Sequence, residues 1–560
     1  MRLSPRLLAL TLLAAFPCFP QMTVEQRLFD FEYVAAQFAK FYGPYEWKRD
    51  VIGFDLYDLK PWLARVRNAK TDLDYYEIAS EYVASLQDTH SIYILPSDFF
   101  ASIGISVDIF DDKFLIEAIN RSQLPAARYP FAIGDEIVSI DGKPASELAA
   151  WAAKYRGQGN PRAARRFGAA ALFSRSQQIL PRAHEIGDNA TVVVRRQSGE
   201  TETYEIPWQK RGVPVLASGP LPTTATARSK AAKNSPDILE LLARVQRRAM
   251  PETGVRITGL GSRTPFFTLP QGFQRRLGTA ASHFHFSGTY VSQGKRIGYL
   301  RIPNFSPPNE ASAYFELVNE VAFLQQNTDG LVVDIARNSG GGCYGQDAAQ
   351  LLIPRPFISV SDEIRPSRLD LIAFESALNS PPPAGAEQWQ INLAKAIYAQ
   401  LAQAHSENRG RTGPLPVCGL DAEVQPLQLP DGSVFAYAKP LIVLTDELTI
   451  SWGDSFAQIL SDAKRGPLFG FRTNGAGASV SGFEGGSFGE GFLNLSTSLG
   501  LRTQTVQQPG FPSTRYYENV GIWPDIPYDV MTAENLTSGY APYVQAFTKA
   551  ILDEINKEVR

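Results

Sequence analysis

Apolar residues at Phe29, Phe31, Val34, Phe38 and Phe41 recur at roughly helical spacing, and residues 75–86 repeat the pattern. This periodicity predicts a helical segment over residues 22–97. It closes on Ser85-Leu-Gln-Asp-Thr-His90, followed by a strand over 92–95. From residue 99 to about 210 the pattern changes to short β-rich runs at 103–109, 114–118, 190–195 and 203–206. Between them, residues 133–144 alternate apolar and polar positions and meet Asp141-Gly142, a hairpin signal. Residues 211–285 carry scattered Pro, Thr, Ser and Gly with one helical patch at 238–250, and read as an inserted linker expected to be partly mobile. Beyond 286 the pattern predicts a strand at 296–302, a helix at 311–326 and a buried strand at 330–335. An insertion over 365–435, with Pro381-Pro-Pro383 and a helix near 394–404, interrupts it. A buried strand at 440–444 and a helix at 452–463 then resume the pattern. Strands alternating with helices imply parallel βαβ units, hence an α/β fold.

At 560 residues the chain exceeds what one core organises, and two to four domains are expected. Hydrophobic residues at 44% and charged residues at 20% are ordinary for a globular protein. The net charge of -3 leaves no footprint for nucleic acid. The short basic run at Arg162, Arg165 and Arg166 reads as a solvated helix face. A basic start followed by about ten apolar residues marks residues 1–20 as a secretory signal peptide, so a secreted or periplasmic envelope location is expected. No later stretch is apolar and long enough to span a bilayer, and no stable membrane insertion is expected. Cys18 would leave with the signal; Cys343 and Cys418 are left either to pair in an oxidising compartment or to stay free. Five histidines without Cys-x-x-Cys or His-Glu-x-x-His spacing argue against a metal site, and no cofactor is expected. His283 and His285 alternate as on a strand face, without a third ligand in view.

Two segments carry candidate chemistry. The strand at 440–444 runs into a short loop, and Ser451 stands where the next helix begins. A helix N-terminus offers free N–H groups and a positive dipole end, which suits a nucleophilic serine; equally, Ser is a favoured N-cap. The strand at 330–335 runs into Gly340, Gly341 and Gly342, which would let backbone N–H groups approach an oxyanion, or simply form a tight turn.

Together the two segments resemble peptidase family S41, the tail-specific or C-terminal processing peptidases. Residues 334–341 match that family's Asp-Leu-Arg-x-Asn-x-Gly-Gly motif at equal length, with Ala336 in place of its Arg. Residues 443–457 match the nucleophile segment and set Ser451 on the nucleophile, and Asp462 matches a carboxylate of the following helix. The resemblance implies a crotonase-like catalytic core behind an N-terminal helical domain and a PDZ-like β-domain, which residues 133–144 also resemble. Domains are accordingly expected at 21–97 (helical), 98–210 (PDZ-like), 211–285 (linker), 286–535 (catalytic, with the 365–435 insertion) and 536–560 (C-terminal helix). The bacterial branch of the family pairs its Ser with a Lys; here Ala476 occupies that position, and Ala cannot act as a base. Lys464 should lie past the helix and point to solvent.

The chain is closer to the family's tricorn-type branch, whose base is a His from the N-terminal helical region, supported by a Glu near the C-terminus. His90, preceded by Thr89, and Glu518 match those segments. A His can take the Ser451 proton and return it to the leaving amine, with a carboxylate, direct or through Thr89, fixing its tautomer. The oxyanion hole falls to the backbone N–H groups of Gly340 or Gly341 and of Trp452. Trp452 replaces a small residue, so its bulk narrows the S1 site or fills the core; Tyr344 and Phe471 line the cleft or the core. The implied activity is a serine endopeptidase acting on polypeptides through a Ser451 acyl-enzyme. The alternative is a catalytically inactive binding protein on the same fold, and self-association as a homodimer stays open.

Overall fold

A computed structural model describes residues 21–217, 236–249 and 254–558. The expected signal peptide lies outside the described residues. The N-terminal segment folds into four helices, Val24–Phe41, Tyr45–Ile52, Lys60–Asn68 and Asp72–Ala84. The first and last begin with Thr23 and Thr71 in capping boxes, in which the threonine and the third helical residue, Gln26 or Asp74, satisfy each other's backbone N–H groups through their side chains. The following strand Ile92–Ile94 pairs antiparallel with Phe492–Ser496, so the N-terminal segment is stitched to the C-terminal half.

Residues 105–207 form an antiparallel sheet in the order Ile105–Phe110, Lys113–Ile119, Glu136–Ile140, Asn189–Arg195, Thr201–Pro207. The predicted turn at Asp141-Gly142 has φ of 52° and 77°, the pair of positive values a tight hairpin requires. Two helices, Ala145–Ala153 and Pro161–Ala170, lie between its third and fourth strands.

The C-terminal half is built on a seven-stranded sheet. Its last five strands, Lys295–Arg301, Gly330–Asp334, Leu441–Thr445, Leu468–Gly470 and Ile526–Pro527, run parallel. The central strands read as continuous apolar runs because both faces are covered. Leu331, Val333, Leu441 and Val443 pack with the helices Glu310–Asn327 and Trp452–Asp462. Val332, Ile442 and Leu444 pack with Phe547, Ile551 and Ile555 of the C-terminal helix Ala541–Glu558. The two insertions meet each other: Ile238–Gln246 packs with Arg368–Asn379 and Gln388–Ser406 in one apolar cluster. Cys343 and Cys418 are joined by a disulfide, their Cα atoms 5.5 Å apart.

Two sequence expectations need correction. The basic run is not a solvated face: Arg166 is buried and pairs with Asp108 at 2.7 Å and Glu447 at 3.1 Å, and Arg162 reaches Glu447 at 2.9 Å. The apolar context of a short Ala-rich helix conceals that partners from two other segments converge on it. His283 and His285 also part company. His283 accepts from the Gly278 N–H, whereas His285 is fully buried between Glu316 at 2.8 Å and the Tyr344 hydroxyl at 3.0 Å. Among the described residues no cluster suited to a metal ion occurs, and no helix is long and apolar enough to cross a membrane.

Candidate active site

The strand Leu441–Thr445 ends at Asp446, whose carboxylate accepts from the Leu448 N–H and from the Arg337 N–H, and so ties the loop to the neighbouring strand end. The loop delivers Ser451 at φ 68° and ψ -117°, a conformation that costs a residue with a Cβ about 1–3 kcal/mol. Asp454, one turn into the helix, accepts the Ser451 N–H at 2.7 Å, the N–H groups of Gly475 and Ala476, and the Thr473 hydroxyl. One buried carboxylate therefore fixes both the sharp turn and the loop that carries Ala476. Burial raises Asp454 to about 6. Ala476 itself packs beside Leu448 and Ile450, and Lys464 is exposed past the helix.

The Ser451 side chain faces His90. His90 Nε2 lies 2.8 Å from Ser451 Oγ, across 361 residues of sequence, and both are fully buried. His90 is held from behind by Asp88, which accepts the His90 and Ser91 N–H groups and the hydroxyls of Tyr42 and Ser91. Burial depresses His90 from its usual 6.5 to about 4. Asp88 pulls upward; Arg156, Arg248 and Lys48 add to the fall. The ring is thus neutral near pH 7. The other ring nitrogen, Nδ1, has no hydrogen-bond partner among the described residues.

Glu518 is also fully buried, but it does not bond to His90. It takes Lys48 Nζ at 2.6 Å and the Gly477 N–H at 3.1 Å. Lys48 Nζ further donates to the Gln87 carbonyl and Asn519 Oδ1, so its three donors are all engaged. Burial and the nearby Asp88 raise Glu518 to about 7 in spite of Lys48. Asp88 itself feels burial upward, but Lys48 and His90 outweigh it and its pKa falls. Thr89 does not bridge to Glu518 either: its hydroxyl donates to Asn474 at 2.5 Å and accepts from the Gly159 N–H. Lys48 and Asp88 left no signal in the sequence, because a lysine in an ordinary short helix and an aspartate beside a threonine are common.

Gly340 and Gly341 border Ser451. Gly341 has φ 153°, and a Cβ there would stand 2.1 Å from the Phe305 backbone, so only glycine fits. The Gly340 N–H is held by Asn338 Oδ1 at 2.9 Å. The Trp452 N–H opens the helix, where no intrahelical acceptor exists. The Trp452 ring is wholly buried, close to Phe305, and its Nε1 donates to the Gln246 carbonyl at 3.1 Å. An open groove of about 1350 Å³ runs past Gly340–Gly342, Phe305 and Tyr344. Phe471 is elsewhere, stacked under Arg162. Asp462 pairs with Arg502 on the far end of its helix.

Residues 296–528 match the model of peptidase family S41, and residues 100–214 match that of a PDZ domain. The chain is a serine-type peptidase whose residues 296–528 match family S41. A curated protein of Chlamydia trachomatis serovar D is 22% identical to this peptidase over 92% of this chain and 91% of its own. A Chlamydia pneumoniae protein is 23% identical over 93% and 88%. Crystal structures of mature CPAF superpose on the peptidase with a TM-score of 0.73 at 20% identity, covering 95% of this chain and 98% of that one. The CPAF complex with lactacystin gives 0.72 over 95% and 99%. At that identity the superposition speaks for a shared fold across nearly the whole peptidase.

Proposed function

We propose that the peptidase hydrolyses polypeptides through an acyl-enzyme on Ser451, with His90 as its general base. The observation that carries this reading is the 2.8 Å contact between His90 Nε2 and Ser451 Oγ. The depressed pKa of His90 keeps the imidazole neutral and able to accept the hydroxyl proton. Ser451 Oγ attacks the scissile carbonyl carbon as its proton passes to Nε2. The N–H groups of Trp452 and Gly341 stabilise the oxyanion. The tetrahedral intermediate collapses with cleavage of the C–N bond, and the imidazolium returns its proton to the leaving amine. Water, deprotonated by the same ring, then releases the acid and restores Ser451. Asp88 and Glu518 supply negative potential for the imidazolium; Asp88, whose charge already acts on the ring, is the nearer support. Ala476 is no obstacle on this reading, since the base comes from another segment.

The peptidase works outside the cytosol, as a secreted or cell-envelope protein. The Cys343–Cys418 disulfide supports an oxidising compartment, and the apolar N-terminal stretch supports export.

A fluorophosphonate serine probe tests both statements when applied to fractionated cells. The wild-type peptidase should label in the extracytoplasmic fractions, while Ser451→Ala and His90→Ala should stay unlabelled. Labelling that survives Ser451→Ala would overturn the nucleophile, and label confined to the cytosol would overturn the location.

A further inference from the structure

The inserted segment leaves its helix Ile238–Gln246 and runs past Ser451 as an extended strand, Arg248–Ala249. The Ser479 hydroxyl donates to the Val245 carbonyl at 2.5 Å, Trp452 Nε1 to that of Gln246, and the Val480 N–H to that of Arg247. Arg248–Ala249 then pairs antiparallel with Gly340–Gly341. A methyl group on Gly340 would stand 2.6 Å from both the Arg248 carbonyl oxygen and the Ser451 Cβ. The Arg248 carbonyl and Ser451 therefore both flank Gly340 and lie near each other.

The Arg248 side chain enters a closed pocket and is fully buried. Nη1 donates to Ser455 Oγ at 2.8 Å and to the Tyr517 hydroxyl at 2.6 Å, and Nη2 donates to Asp362. The guanidinium lies 5.7 Å from the Trp452 ring centre. Among the described residues, Asp362 is otherwise held only by the hydroxyls of Ser479 and Ser498. Without a guest, the pocket would keep a buried carboxylate facing hydroxyls alone, which is costly. The pocket therefore calls for a cation. It suits the forked guanidinium, whose two terminal nitrogens reach Asp362 on one side and Ser455 with Tyr517 on the other. A lysine ammonium is a single point and cannot serve both.

Resting on Ser451 as nucleophile, we propose that the Asp362 pocket is the peptidase's primary specificity site and takes an arginine side chain from the residue whose carbonyl is attacked. Arg248 occupies it as a stand-in for that substrate residue. Trp452 floors this pocket rather than closing it. Asp362, Ser455 and Tyr517 are the residues that set the preference.

The test uses the full chain and its Arg248→Ala variant, which empties the pocket. Fluorogenic peptide amides should differ only in the residue before the scissile bond: Arg, Lys, Leu or Ala. Arg should exceed Leu in kcat/KM by about a hundredfold, the scale expected when a buried charge loses its partner, and adding Asp362→Asn should erase the preference. Equal turnover of Leu or Ala by a variant that still labels with fluorophosphonate overturns the pocket and leaves the nucleophile standing. A second readout needs no turnover: in Arg248→Ala/Ser451→Ala, agmatine should raise Tm and the shift should vanish with Asp362→Asn. An absent shift, or an equal one from 1-aminobutane, overturns the pocket whatever the labelling. If the alanine variant fails to fold, Arg248→Gln takes its place in both assays.

Discussion

The histidine and the glutamate of the site are perturbed in opposite directions, and this makes the pH profile diagnostic. The proposed mechanism needs His90 neutral, and its pKa is depressed by burial toward about 4, so its acid limb falls below the ordinary 6.5. Glu518 is raised to about 7, so its ionisation adds negative potential as pH rises through that value. The rate, kcat/KM, should climb in two steps, one below pH 6.5 and one near 7. In Glu518→Gln the upper step should disappear while the lower remains. A profile in Glu518→Gln that keeps the upper step would show that another group titrates there. At this scale the sequence was informative about Ser451 and His90, since both sit in recognisable segments. It was silent on what surrounds them. Glu518 was expected to hold His90, yet it is neutralised by Lys48, 470 residues away. Arg248 lies in a segment that read as linker, and nothing local marks Asp362 as its partner.

Among the elements, the turn at Ser451 holds a residue with a Cβ at positive φ. Ser451 at φ 68° is tolerated because Asp454 gathers four donors around the turn. Ser451→Gly should therefore raise stability by about 1 kcal/mol or more in denaturant unfolding, and Ser451→Ala should not, although both abolish labelling. Equal stability of the two variants would argue that the turn is unstrained. The strand and helix flanking this turn were legible to within a residue or two, because a buried parallel strand is a continuous apolar run. The strand Gly340–Gly341 was not legible as a strand, since its pairing partner comes from the inserted segment.

Over the whole molecule, an ionic network joins the PDZ domain to the nucleophile loop. Arg166 and Asp108 from the PDZ domain meet Glu447 and Asp446, and Glu117 of the same domain meets Arg337. Arg166→Met would leave Asp108 and Glu447 buried with too little counter-charge. It should cost about 3–5 kcal/mol in denaturant unfolding and slow fluorophosphonate labelling of Ser451. Unchanged stability and labelling would mean that the network does not couple the two domains. The order of domains could be anticipated from the change of periodicity along the chain. Their docking could not, because it depends on charges that look solvated when read one segment at a time.

The 361 residues between His90 and Ser451 also set a timetable. A ribosome adding about ten residues per second needs roughly half a minute to travel from one to the other. Throughout that interval the emerging chain holds a histidine with no serine to activate. The strand Phe492–Ser496, which braces the histidine segment, arrives later still. A chain stalled or truncated before Ser451 therefore cannot assemble the pair.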